Sequence, residues 1–126
     1  MQTKLYQAIS RKLYAIANCK QSGNTEWQEK HQYALDTLIK ELPSGSGFDS
    51  GIKLLDNSTP DRLVFQCDFH HMDECGFYDG WTEHTAIVTP SLAFGFILRI
   101  TGRNNNNIKE YIADTFHHAL NQEIEY

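Results

Sequence analysis

The chain lacks any apolar run approaching the about 18 residues that a membrane span requires. No apolar stretch follows residues 1–4, so we expect no secretory signal. Cysteine is scarce, and an odd count of three does not indicate a disulfide framework. Lys and Arg are also few, 11 against 16 Asp and Glu, which disfavours direct nucleic-acid binding. These absences predict a cytoplasmic protein with free cysteines and no membrane association.

The composition is that of one globular domain: 126 residues, 40% apolar and 21% charged. The net charge of -5 is unevenly distributed along the chain. Residues 1–42 carry six basic and four acidic groups, whereas residues 43–126 carry five basic and twelve acidic groups. Between positions 68 and 83 there are five acids and no Lys or Arg. This segment either faces a basic partner or forms a solvated acidic hairpin.

Hydrophobic spacing predicts two helices in the first third of the chain. The first, over residues 3–20, follows from apolar residues at the helical period, namely Leu5, Ile9, Leu13 and Ile16. Asn24 or Thr25 begins the second helix, and Pro43 ends it. Because the connection is short, we expect residues 1–42 to form an antiparallel helix hairpin.

Strand patterns follow a glycine-rich linker over residues 43–51, whose Ser-Gly-Ser-Gly run indicates a turn rather than a phosphate-binding loop. We expect strands over residues 51–55, 62–71, 77–89 and 92–101. The last strand presents a continuous apolar face made of Leu92, Phe94, Phe96, Leu98 and Ile100. A third helix over residues 105–124, capped by an Asn, supplies cover for it. The sequence therefore predicts a single α+β domain, with a four-stranded antiparallel sheet over residues 51–101 and the C-terminal helix on one sheet face.

Two alternating strands bring polar side chains toward one sheet face. Alternation places Asp68 and His70 on the same side, with Glu83 or Thr85 opposite them in a hairpin, and Gln66 and Arg99 nearby. A carboxylate beside a His could act as a general base or bind a metal, so a metal-dependent hydrolase or nuclease using Asp68, His70 and Glu83 is one hypothesis. No spacing matches a known metal motif, and an uncovered sheet face is polar in any case. We therefore assign no metal, no cofactor and no catalytic residue.

The loop between the second and third expected strands is both acidic and aromatic. Tyr and Trp at a loop edge are common in binding hot spots. We predict a binding surface made of Asp73, Glu74, Tyr78, Asp79 and Trp81. The same aromatic rings could stack on a base, so a third hypothesis is capture of a nucleotide signal. In that hypothesis Arg99 or Arg103 holds the phosphate and Tyr78 or Trp81 stacks on the base.

Five segments together resemble a family of small proteins encoded by phages and mobile elements, for which no activity is assigned. They are LPSGSGFD (42–49), FHHM (69–72), YDGWT (78–82), PSL (90–92) and ITGR (100–103). The resemblance covers nearly the whole chain and carries no catalytic residue. It implies a phage or prophage accessory protein, and such proteins often inhibit host enzymes or host defence, as anti-CRISPR proteins do.

These observations lead to one first hypothesis about function. The chain would be a small acidic accessory protein, rather than an enzyme, that binds and inhibits a host protein such as a CRISPR effector. In a sharper form of the hypothesis the carboxylates stand in for nucleic-acid phosphates. Neither Pro nor paired Lys blocks the sheet edges, so a homodimer through an edge or through the helix hairpin also stays open.

Overall fold

The computed structural model describes residues 2–42 and 52–125, and these form three helices and six strands. Their order along the chain is β1 (Gln2–Lys4), α1 (Leu5–Ser22), α2 (Thr25–Ile39), β2 (Ile52–Leu54), β3 (Leu63–Met72), β4 (Tyr78–Ser91), β5 (Gly95–Gly102), α3 (Asn106–Leu120) and β6 (Glu123–Glu125). Strands β2 to β5 form an antiparallel sheet in the order β2-β3-β4-β5. The predicted α+β class is confirmed. The linker expected over residues 43–51 lies outside the described residues.

Helices α1 and α2 are joined by two residues, as the sequence predicts. Asn24 is the cap of α2, because its side chain accepts a hydrogen bond of 3.2 Å from the Trp27 N–H. Each helix presents apolar side chains to the core: Leu5, Ile9 and Ile16 from α1 and Leu35 from α2 are buried. Trp27, in the first turn of α2, is not part of this core, since its ring is 51% exposed.

The pleat of β3 and β4 separates a core face from a polar face. Phe65 lies opposite Ala86, which lies opposite Ile100, and all three are on the core face. On the polar face Gln66 lies opposite Thr85 and Asp68 lies opposite Glu83, which confirms the predicted alternation. Burial on one face only is what fixes this register, since a slip of one residue would invert every side chain.

Aromatic contacts hold the helices against the core face of the sheet. The ring of Phe116 in α3 lies 5.3 Å from the ring of Phe65 in β3. The ring of Tyr6 in α1 lies 4.9 Å from the ring of Phe96 in β5. The predicted packing of α3 near the sheet is therefore confirmed.

The ends of the first and third predicted helices were wrong. The first helix was expected to begin at residue 3, but Thr3 is in β1 and pairs with Ile124 in β6. The third was expected to reach residue 124, but α3 ends at Leu120. The physical reason is a backbone pairing between segments distant in sequence: β1 and β6 form a two-stranded sheet, and the Leu5 N–H donates to the Gln122 carbonyl at 3.0 Å.

The predicted start of the last strand was also wrong. Ser91 of β4 pairs with Gly95 of β5, so the three residues between them form the chain reversal. Leu92 and Phe94 lie in this reversal and are exposed, whereas Phe96 is buried as expected. The alternating hydrophobic pattern therefore begins three residues before the strand itself, which starts at Gly95.

Candidate functional site

The β3–β4 hairpin ends in a turn that Asp73 organises. The Oδ1 atom of Asp73 accepts hydrogen bonds from the N–H groups of Cys75 at 2.9 Å and Phe77 at 2.8 Å. The Asp73 N–H donates to the Phe77 carbonyl at 2.8 Å, which closes the turn. An Asp side chain that captures the backbone N–H groups ahead of it favours this conformation. One carboxylate oxygen of Asp73, a predicted binding residue, therefore stabilises the hairpin turn.

Four large apolar side chains are exposed around this turn. Met72 is 64% exposed, Phe77 71%, Tyr78 58% and Trp81 54%. Tyr78 is held in place by a contact of 3.2 Å between its hydroxyl and Nδ1 of His70. Contiguous exposed apolar side chains of this size mark interaction sites more often than isolated ones do. We call these four residues, together with Glu74 and Asp79, the hairpin surface.

The acidic residues around the hairpin surface have no cationic partner within the described part of the chain. The single ion pair there joins Lys30 and Glu26, on α2. Asp68 and Glu83 lie directly opposite each other on neighbouring strands, an arrangement that is unfavourable for two like charges. The acidic side chains at this end of the sheet therefore form no ion pair with the described residues.

The five predicted binding residues come from the turn and the start of β4. Glu74, Tyr78, Asp79 and Trp81 are exposed, as a binding surface requires. Two members of the hairpin surface, Met72 and Phe77, were not among the predicted residues. Phe77 stands in the run Gly-Phe-Tyr-Asp-Gly-Trp, and its position in a turn rather than in a buried strand is the signal that could have identified it.

The structure gives the metal-dependent hypothesis no geometric support. Asp68, His70 and Glu83 do lie on the same sheet face, but His70 is opposite Trp81 rather than a carboxylate. Its neighbour His71 is on the core face, where its Nε2 atom lies 2.9 Å from Oγ1 of Thr82. Across residues 2–42 and 52–125, no three His, Cys, Asp or Glu side chains form a group that could hold a metal ion.

A cavity of about 410 Å³ lies beside the hairpin, where β4 extends past the end of β5. Its walls come from both ends of this gap: His71, Asp79, Gly80, Trp81 and Thr82 on the hairpin side, and Arg103, Asn104, Asn105 and Ile108 on the side of α3. Of the two arginines considered for phosphate binding, Arg103 lines this cavity. Arg99 does not, because it lies within the sheet opposite Ile87. Of the two stacking candidates, Trp81 lines the cavity and Tyr78 does not.

The side chain of His84 lies next to this cavity and is completely enclosed. It is 1% exposed, and neither ring nitrogen has a hydrogen-bond partner within the described part of the chain. Burial lowers the pKa of His84 below its usual 6.5, and backbone groups of Thr82 and Arg103 oppose this effect more weakly. Burying an imidazole is costly because its polar atoms lose their contact with water.

Comparisons with known proteins add no relative to this description. A scan against family models, a search of curated proteins and a search of solved structures each returned no match. Among the described residues, no helix combines the length and apolar character needed to cross a bilayer.

Proposed function

We propose that this chain is a binding protein that attaches to a basic, partly apolar surface of a partner protein through the hairpin surface. The observation that carries the proposal is the coincidence, on one hairpin, of exposed aromatic side chains and acidic groups that form no ion pair with the described residues. Aromatic side chains supply most of the energy in protein interfaces, and charge complementarity supplies orientation and speed of association. A partner with Lys or Arg around an apolar pocket would satisfy both features.

The resemblance to phage and mobile-element proteins extends the proposal to the identity of the partner. Under it, the partner is a bacterial host protein, and binding inhibits that protein as part of counter-defence. A nucleic-acid-binding host protein, such as a CRISPR effector, has the basic surface that the acidic hairpin requires. The hairpin carboxylates would then occupy a surface that otherwise binds phosphates.

Affinity capture with paired variants tests the proposal. The hairpin variant is Tyr78→Ala with Trp81→Ala, and the control is Tyr33→Ala with Trp27→Ala on α2. The control rings are as exposed as the hairpin rings, at 75% and 51%. Both double variants are checked for folding by circular dichroism, and captured host proteins are quantified by mass spectrometry.

We expect one host protein to be captured in stoichiometric amount by the wild type and the control, and lost with the hairpin variant. Since Coulomb attraction is screened by salt, its capture should also weaken as ionic strength rises. A Trp81→Ala with Asp79→Ala variant should weaken the purified complex while the fold stays intact. Capture that is equal for both double variants, or absent for the wild type, would contradict the proposal.

A further inference from the structure

The cavity between β4 and α3 has the chemistry of an anion site at one end. Arg103 lines the cavity, and its guanidinium forms no ion pair with any described residue. The N-terminus of α3 lies on the same side, with Asn105 as its cap. The first N–H groups of a helix have no partner within the helix and favour negative charge. The first turn of α3 contains no acidic residue that would compensate them.

The opposite wall offers a flat aromatic ring and two groups that bind polar ligands. Trp81 is 54% exposed, so part of its indole is free for stacking. The hydroxyl of Thr82 lies 2.9 Å from Nε2 of His71, and when this hydroxyl donates to Nε2, the Nδ1–H of the imidazole is left as a donor. The carboxylate of Asp79 repels phosphate but accepts hydrogen bonds from ribose hydroxyls or from a base amino group.

Two residues of the cavity wall also act on a buried imidazole. His84 is 1% exposed, and among residues 2–42 and 52–125 no group meets the distance and angle of a hydrogen bond to either ring nitrogen. The nearest backbone polar groups that act on this imidazole belong to Thr82 and Arg103, and both residues line the cavity.

We propose that this cavity binds a mononucleotide, with its phosphate held by Arg103 and the N-terminus of α3 and its base stacked on Trp81. The volume of about 410 Å³ is within the range of small-ligand sites. The ribose lies between these two ends, within reach of Asp79 and His71. The phosphate end of this site shares no residue with the hairpin surface, whereas Trp81 and Asp79 belong to both.

Titration of single-tryptophan protein with mononucleotides tests the assignment. The chain has two tryptophans, so Trp27→Phe leaves Trp81 as the only indole reporter. The probes are AMP, GMP, CMP and UMP up to about 1 mM, with adenosine and inorganic phosphate as partial ligands. Binding constants are measured by calorimetry, and stacking is measured as quenching of Trp81 fluorescence.

Two arginine variants supply the matched comparison. Arg103→Ala should weaken binding about tenfold or more, the effect of losing a charged hydrogen bond. Arg99→Ala, an exposed arginine of the neighbouring strand outside the cavity, should leave the affinity unchanged. We expect at least one mononucleotide to quench Trp81 at one molecule per chain and to bind more tightly than adenosine or phosphate.

Three outcomes would overturn the assignment. The first is the absence of binding by all four mononucleotides, and the second is equal loss of affinity in both arginine variants. The third is inorganic phosphate binding as tightly as the best mononucleotide, which would show an anion site without base recognition. None of these outcomes changes the expected capture of a partner by the hairpin surface, so the two proposals fail separately.

Discussion

Replacing Gly102 by alanine tests how tightly the end of β5 is held against β4. A Cβ atom built on Gly102 lies 2.5 Å from Cδ2 of His84 and 2.9 Å from the Glu83 carbonyl oxygen, distances at which something must move. The residue also has φ of +150°, which L side chains rarely adopt. Backbone strain of this kind costs about 1–3 kcal/mol, and overpacking of a rigid site costs about 1–3 kcal/mol more. We therefore expect Gly102→Ala to lower the free energy of unfolding by roughly 2–6 kcal/mol.

Gly23→Ala is the matched control for this experiment. Gly23 also has positive φ, +74°, but nothing lies within 4 Å of its built Cβ atom. It should cost only the backbone term, about 1–2 kcal/mol. Urea unfolding followed by circular dichroism measures both variants, and the difference should move the midpoint by about 1 M at a typical slope.

A double variant separates the ring contact from the backbone strain. His84→Ala removes both imidazole contacts and leaves the carbonyl contact and the φ strain in place. The cost of Gly102→Ala should therefore be smaller in the His84→Ala background than in the wild type, as a coupling energy between neighbours. Equal destabilisation by Gly102→Ala and Gly23→Ala would refute the reasoning, since it would mean that His84 does not occupy the space beside Gly102.

Three further outcomes follow from buried groups. Burial lowers the pKa of His84 from 6.5, so below pH 6.5 the unfolded chain binds a proton that the folded chain does not bind. The free energy of unfolding should therefore fall on acidification, by about 1.4 kcal/mol per unit of pKa difference. Urea titrations from about pH 5 to about pH 8 measure this loss, which should be smaller for His84→Gln. Burial, with a smaller effect of Asp68, raises the pKa of Cys67 to about 12. Iodoacetamide should therefore modify the exposed Cys75 in the native protein and Cys67 only in urea, and peptide mapping detects which cysteine is modified. Equal labelling of the two cysteines in the native protein would contradict this. Phe116→Ala should cost about 3–5 kcal/mol in urea unfolding, because the ring is 1% exposed, whereas Tyr33→Ala at a 75% exposed position should be nearly neutral.

Local patterns were enough to predict most of the fold. Side-chain periodicity placed α1, α2, β3, β4 and α3, because each of these elements buries one face and exposes the other. The same argument failed at the boundaries. Thr3 and Ile124 were placed at the outer ends of the first and third predicted helices, yet they pair with each other as strands. A pairing between residues so far apart in sequence leaves no local signal.

Part of the hairpin surface could also be predicted from the local sequence. Residues 68–83 contain no Lys or Arg, and this absence is visible without a structure. What the sequence could not show is which aromatic side chains remain outside the core. Phe69 and Phe77 are alike in type, but Phe69 contacts Tyr111 of α3 at 5.8 Å whereas Phe77 is 71% exposed in the turn.

The cavity depends on a difference in strand length that no local pattern expresses. Strand β4 has 14 residues and β5 has 8, so the first residues of β4 have no partner from β5 and the chain leaving β5 crosses beside them into α3. The sequence alone did not distinguish Arg103 from Arg99 as a phosphate-binding residue, whereas the strand register places Arg99 within the sheet and Arg103 beyond its end. It also gives Trp81 two roles, since its indole belongs to the hairpin surface and to the cavity wall. If a partner and a nucleotide both touch this ring, each must change the affinity of the other by the same factor, because linkage between two binding equilibria is reciprocal.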